Sequence, residues 1–99
     1  MLTINKNLNN AKLTVFLEGR LDTTTAPELE RNLRDSFSGV SELVMDFEKL
    51  DYISSAGLRV LLTAQKVMNK QGSMKVVHVS ETIMEILEVT GFVDILTIE

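Results

Sequence analysis

Leu50-Asp51-Tyr52-Ile53-Ser54-Ser55-Ala56-Gly57-Leu58-Arg59 joins an apolar run to an amphipathic one. Before it, Leu43-Val44-Met45-Asp46-Phe47 reads as a mostly buried strand. After it, Ala56 to Lys70 reads as a helix that Gly72 stops. A strand running into a helix is half of a crossover unit, and crossovers join parallel strands. Downstream, Met74 to Val79 reads as the next strand. Ser80 caps a helix from Glu81 to Thr90, with Gly91 at its C-terminal stop. Its inner positions are Ile83, Ile86, Leu87 and Thr90, and Ile95 to Ile98 is expected to add a short last strand.

Upstream, Leu2 and Ile4 alternate with polar neighbours, and Leu13-Thr14-Val15-Phe16-Leu17 alternates again after Asn9-Asn10. Two strands around an Asn-rich turn are the simplest reading. Glu18-Gly19-Arg20-Leu21-Asp22 is expected to end the second strand. Asp22-Thr23-Thr24-Thr25 then starts a helix, with Thr25 and Glu28 in capping-box spacing and Pro27 in a tolerated first-turn position. Leu29, Leu33 and Phe37 form its core stripe, Glu30 and Arg34 pair on its wet side, and Gly39 ends it. The expected fold is α/β: one domain over residues 1–99, with element order β-β-α-β-α-β-α-β and helices packed on a mixed sheet.

The start of the central helix carries the chemistry. Ser54 or Ser55 can cap it, because a hydroxyl satisfies one of its free amides. Gly57 in its first turn costs roughly 1 kcal/mol relative to alanine, which points to a close approach by another backbone or a ligand. At about 100° per residue, Val60, Ala64 and Val67 share one side, flanked by Leu61 and Met68. Ser55, Leu58, Arg59 and Leu62 fall outside that stripe at spacing i, i+3, i+4 and i+7. A hydroxyl, two leucines and an arginine on one face read as a docking surface with a modifiable group. The competing reading has a neighbouring helix covering Leu58 and Leu62.

Composition removes other function classes. The chain has 99 residues, 44% of them hydrophobic, and its aromatics are four Phe and one Tyr. Leu, Ile, Val and Met must therefore fill the core. There is no cysteine, hence no disulfide framework, thiol nucleophile or Cys-based metal site. The net charge of -4 and the scattered basic residues argue against a nucleic-acid partner. No apolar run resembles a signal peptide, and none approaches the roughly 18 residues of a membrane span. A cytoplasmic protein with no membrane partner is the expectation.

An enzyme is disfavoured. The only histidine, His78, falls near a strand end, and no G-x-S-x-G elbow or Gly-rich phosphate loop with Lys is present. Asp46 and Asp51, at or just after a strand end, leave a phospho-aspartate receiver as an alternative, but receivers open with a strand and a helix. A constitutive scaffold or accessory module is the other alternative.

Glu18-Gly19-Arg20-Leu21-Asp22, then Asp46-Phe47, then Tyr52-Ile53-Ser54-Ser55-Ala56-Gly57-Leu58 together resemble the STAS domain, in its stand-alone anti-sigma factor antagonist branch. The resemblance covers essentially the whole chain. It implies a protein that binds an anti-sigma factor, itself a serine kinase, and so frees a sigma factor. Phosphorylation of a serine at the head of the second helix ends the binding, and a serine phosphatase restores it. The family's phosphoserine lies two places before the Gly-Leu pair, which is Ser55 here. Many members carry Asp directly before it; here that residue is Ser54, a second candidate acceptor. The family's acidic residue after the second strand matches Asp22. The partner-facing set expected from spacing and resemblance together is Asp22, Thr23, Ser54, Ser55, Gly57, Leu58, Arg59 and Leu62, with no cofactor or metal.

Overall fold

A computed structural model describes residues 1–99. The N-terminal alternation becomes a hairpin in which β1 (Leu2–Asn9) pairs antiparallel with β2 (Lys12–Leu21). Asn10 at the turn has φ 58°, a left-handed conformation that asparagine tolerates better than most residues. β2 ends at Leu21, within the Glu18–Asp22 segment expected to close it. Gly19 lets the strand reach that point. Its φ is +107°, and a Cβ there would strike the Met1 carbonyl. The pairing with the next strand shifts on both sides of Glu18-Gly19, so the glycine lets the strand bend without stopping.

α1 (Ala26–Ser36), β3 (Glu42–Ile53), α2 (Ser55–Gln71), β4 (Ser73–Val77) and α3 (Glu81–Val89) follow in order. The sheet order is β1-β2-β3-β4, with β2, β3 and β4 mutually parallel. Each crossover moves one strand further in the same direction. Right-handed connections therefore set α1 and α2 on the same face. The shortest molecular dimension, 19 Å, fits one sheet and one helix layer.

Alternate residues of the strands feed the core. Leu13, Val15 and Leu17 of β2 and Leu43, Met45 and Phe47 of β3 are buried. They meet Leu29 and Leu33 of α1, Leu61, Ala64 and Met68 of α2, and Ile83 and Leu87 of α3 in one continuous cluster. Each fully buried side chain of this size contributes about 2 kcal/mol relative to exposure. The residues between them, such as Asn5, Phe16 and Asp46, lie side by side in register and point to the other face.

Three local expectations are corrected. The expected last strand over Ile95–Ile98 is a 3-10 turn at Phe92–Asp94 followed by a single parallel bridge from Val76 to Ile98. β4 stops at Val77 instead of Val79, because His78 adopts φ 57° and leaves the ladder. The Thr25 capping box does not form. The Thr25 hydroxyl donates 2.8 Å to the Arg20 carbonyl, so it does not cap α1.

Candidate functional site

β3 hands directly to α2, and its last residue pairs with the end of β2. The Ser54 amide donates to the Leu21 carbonyl at 2.9 Å, which fixes the start of α2 to the sheet. Ser54 has extended backbone (φ -98°, ψ 175°), and its Oγ accepts from the Gly57 amide at 3.3 Å. Ser54 is therefore the N-cap. Ser55, the first helical residue, is exposed, and its hydroxyl makes no hydrogen bond within the protein.

The electrostatics at this point favour an anion. α2 has no acidic residue in its first turn, so nothing opposes the positive end of its dipole. Arg59 is exposed one turn on. Arg20 and Tyr52 are register partners at the same end of the sheet, and the guanidinium lies 4.3 Å from the ring centroid. Such a contact holds a cation in place.

The Asp22 loop stands beside this helix start. Asp22 Oδ1 accepts from the Thr24 amide at 3.0 Å, the Thr25 amide at 3.1 Å and the Thr25 hydroxyl at 3.2 Å. The Thr25 amide above all, with the Thr25 hydroxyl and the Thr24 amide, holds the Asp22 carboxyl below its ordinary range, against an opposing contribution from desolvation. Arg20 Nε lies 3.9 Å from Asp22 Oδ2. Asp22 thus does the work expected of the Thr25 cap, tying the end of β2 to the start of α1.

The eight expected site residues divide. Thr23 and Arg59 line one groove between the heads of α1 and α2, about 390 Å³ in volume, together with Pro27, Glu30, Ala56 and Thr63. Ser55 directly precedes Ala56 in its wall. Ser54 and Asp22 are half-buried and spend their acceptors on backbone amides. Leu62 is half-buried. Gly57 and Leu58 do not belong to an exposed face. A Cβ on Gly57 would lie 2.7 Å from Leu21 Cγ and 2.9 Å from Ile53 Cγ1. Its missing side chain lets the sheet approach, not a partner. Leu58 is 4% exposed and packs in the core. The docking face drawn through Leu58 is corrected accordingly. The α1 wall of the groove, Pro27 and Glu30, escaped sequence reasoning. The available signal was the handedness of successive crossovers, which puts both helices on one side of the sheet.

Asp46 offers no receiver-type phosphate acceptor. Its carboxylate is nine-tenths buried and bonded to His78 and to the Glu48 amide. No helix is long and apolar enough to cross a membrane.

A family model described as STAS domain matches residues 2–99. BtrV of Bordetella bronchiseptica, named as a candidate anti-sigma factor antagonist, is 36% identical over 85 residues, covering 84% of this chain and 73% of its own. The anti-sigma-B factor antagonist of Bacillus subtilis is 28% identical over 98 residues, covering 98% of this chain and 90% of its own. The Bacillus cell fate determinant SpoIIAA, solved in its phosphorylated form, matches with a TM-score of 0.77 over 98% of this chain and 91% of its own. At 15% identity that last likeness is one of fold.

Proposed function

The chain belongs to the STAS domain family, and on that premise we propose that it is an anti-sigma factor antagonist switched off by phosphorylation of Ser55. It works by binding, not by catalysis. Its partner in this reading is an anti-sigma factor that is also a serine kinase, and a serine phosphatase reverses the modification. The names of the relatives in Bordetella and Bacillus support the antagonist role.

One observation carries the choice of acceptor. Ser54 and Ser55 are adjacent, but the Ser54 oxygen is committed to the Gly57 amide while the Ser55 hydroxyl is exposed and unengaged. A kinase can take Ser55 without dismantling the cap. SpoIIAA, of the same fold, has been solved in a phosphorylated form.

The physics of the switch follows from position. Phosphate adds roughly -1.5 to -2 charge and three strong acceptors. At the first residue of α2 the free amides and the dipole stabilise that charge, so the fold survives modification. The cost falls on the complex, because a docked partner must desolvate the dianion or meet it with its own acids. A coupling of about 1.5 to 3 kcal/mol, the scale of a charge-assisted hydrogen bond, weakens binding roughly 10- to 150-fold. The docking surface in this reading is the groove between the heads of α1 and α2, with Thr23 and Arg59 in its lining, and it extends around α2 past Ser55 to Leu62.

The test uses the anti-sigma factor captured from the source lysate. Incubation with that protein and ATP should add the mass of one phosphoryl group to the wild type and none to Ser55→Ala. Ser55→Ala should bind and resist inactivation. Ser55→Asp should bind 10- to 150-fold more weakly, on the order of the coupling above, with an unchanged Tm. Equal binding by the two variants overturns the switch and leaves a constitutive binding module.

A further inference from the structure

We propose that Asp46, Glu48 and His78 form a divalent-metal site that takes a borderline transition ion such as Zn²⁺, on the sheet face opposite the helices. One imidazole nitrogen and two carboxylate oxygens from these residues lie within 4.8 Å of one another. His78 Nδ1 is already 3.0 Å from Asp46 Oδ2. Two ligands each about 2.1 Å from one Zn²⁺ stand roughly 3 to 3.5 Å apart in tetrahedral geometry, so this pair needs almost no movement. The Glu48 carboxylate is exposed and can close the remaining distance by rotation.

The backbone brings these groups together. Asp46 and Glu48 are two residues apart on β3. The Asp46 amide-facing oxygen, Oδ1, accepts from the Glu48 amide at 2.9 Å, which fixes the carboxylate and leaves Oδ2 directed at His78. Asp46 is the register partner of Val77 on β4. A regular strand would send the next residue, His78, to the core face. The left-handed φ of 57° at His78 instead lets its ring reach Asp46. A non-glycine residue held there is an outlier of the kind that gathers at functional positions.

A second observation, independent of spacing, also points to a cation. Asp46 is 8% exposed, and its one ion-pair partner is His78, which carries a charge only when protonated, whereas a buried carboxylate is stabilised by a lasting positive charge. No lysine or arginine forms an ion pair with Asp46 or with Glu48. Lys49 lines the adjoining cavity, as do Asp46 and Glu48, yet bonds to neither. The cavity leaves open space at the carboxylates, and the His78 side chain is 61% exposed, so an ion can enter from solvent. Three protein ligands leave the fourth tetrahedral position for water or an outside group. The mixture of imidazole and carboxylate favours Zn²⁺ and its neighbours over Mg²⁺, which prefers an all-oxygen shell.

The site is separate from the α2 head. Asp46 precedes Ile53, the end of β3, by seven positions, roughly 20 Å of extended chain. Zinc binding and Ser55 phosphorylation therefore succeed or fail independently.

Isothermal titration of the untagged protein with ZnCl₂ tests the proposal. The expected result is one equivalent bound, with the Tm raised roughly 10 °C at a hundredfold excess over the dissociation constant. MgCl₂ at the same concentration should leave the Tm unchanged. His78→Asn suits the left-handed backbone, and Glu48→Gln alters an exposed group, so both variants should fold. Each should weaken Zn²⁺ binding by about tenfold or more, since even residues that only orient metal ligands cost that much. Absence of saturable binding overturns the proposal. So does wild-type affinity in either variant, or an equal response to Mg²⁺.

Discussion

Ser54 and Ser55 have the same side chain and adjoin each other, yet only one of their hydroxyls is engaged in the fold. Ser54 closes the first turn of α2 through the Gly57 amide. Its replacement by alanine should cost about 1 kcal/mol, a Tm loss of roughly 4 to 8 °C for a domain of this size. Ser55→Ala, which removes no hydrogen bond, should leave the Tm within error. Thermal unfolding of the two variants side by side checks this, and equal losses would contradict the division of labour. Asp22 supplies a second residue-scale expectation. Its carboxyl is held below its ordinary range in the folded chain by the Thr25 and Thr24 amides and the Thr25 hydroxyl. A depressed folded value means that the ionised form stabilises the fold. That stabilisation is full above the unfolded value near 3.9 and drains away as pH falls through the lower folded value. Urea unfolding below pH ~4 should therefore show a shallower pH dependence for Asp22→Asn than for the wild type. Identical slopes would remove Asp22 from the acid response.

α2 is the element in which helical periodicity was least informative. A wheel centred on Val60, Ala64 and Val67 puts Leu58 on a wet face, but Leu58 is 4% exposed and Val67 is only half-buried. The first turn lies against the sheet because Gly57 allows it to approach Leu21 and Ile53. The buried stripe is centred on Leu61 and Met68, with Leu58 and Gln65 on one flank and Val60 on the other. Leu58→Ala should cost about 2 to 5 kcal/mol through lost burial and a residual cavity. Leu62→Ala should cost distinctly less, because its side chain keeps part of its surface in water. Chemical denaturation separates the two. A Leu58→Ala protein of normal stability and weakened partner binding would restore Leu58 to the docking surface.

At the scale of the molecule, the sequence carries whatever is local. The alternation of Leu13, Val15 and Leu17, the stop at Gly72 and the cap at Ser80 each announce an element, and each is present. Position was legible for the α2 head because strand and helix adjoin there without a loop. Groups joined by the sheet alone were not. Asp46 and His78 are 32 residues apart and meet only through the β3–β4 register and one left-handed backbone. The Thr25 capping box failed for a similar reason, since the Arg20 carbonyl took its hydroxyl. The run at Ile95–Ile98 has strand composition but gains one bridge, because the Ile95 and Leu96 amides are spent on the Phe92 carbonyl and hold the start of the run in turn geometry.

The strand order β1-β2-β3-β4 never turns back on itself. Doubly wound sheets reverse direction midway, and their flanking helices diverge to open a crevice at the strand ends where cofactors settle. A sheet that always advances has no such reversal and gains no crevice from its topology. In the function proposed above, the head of α2 and the groove beside it are an outer contour legible to another protein by shape and charge. Information on a surface of that kind is most readily changed by writing on it covalently, and a single hydroxyl at the first turn of a helix is enough to hold one bit.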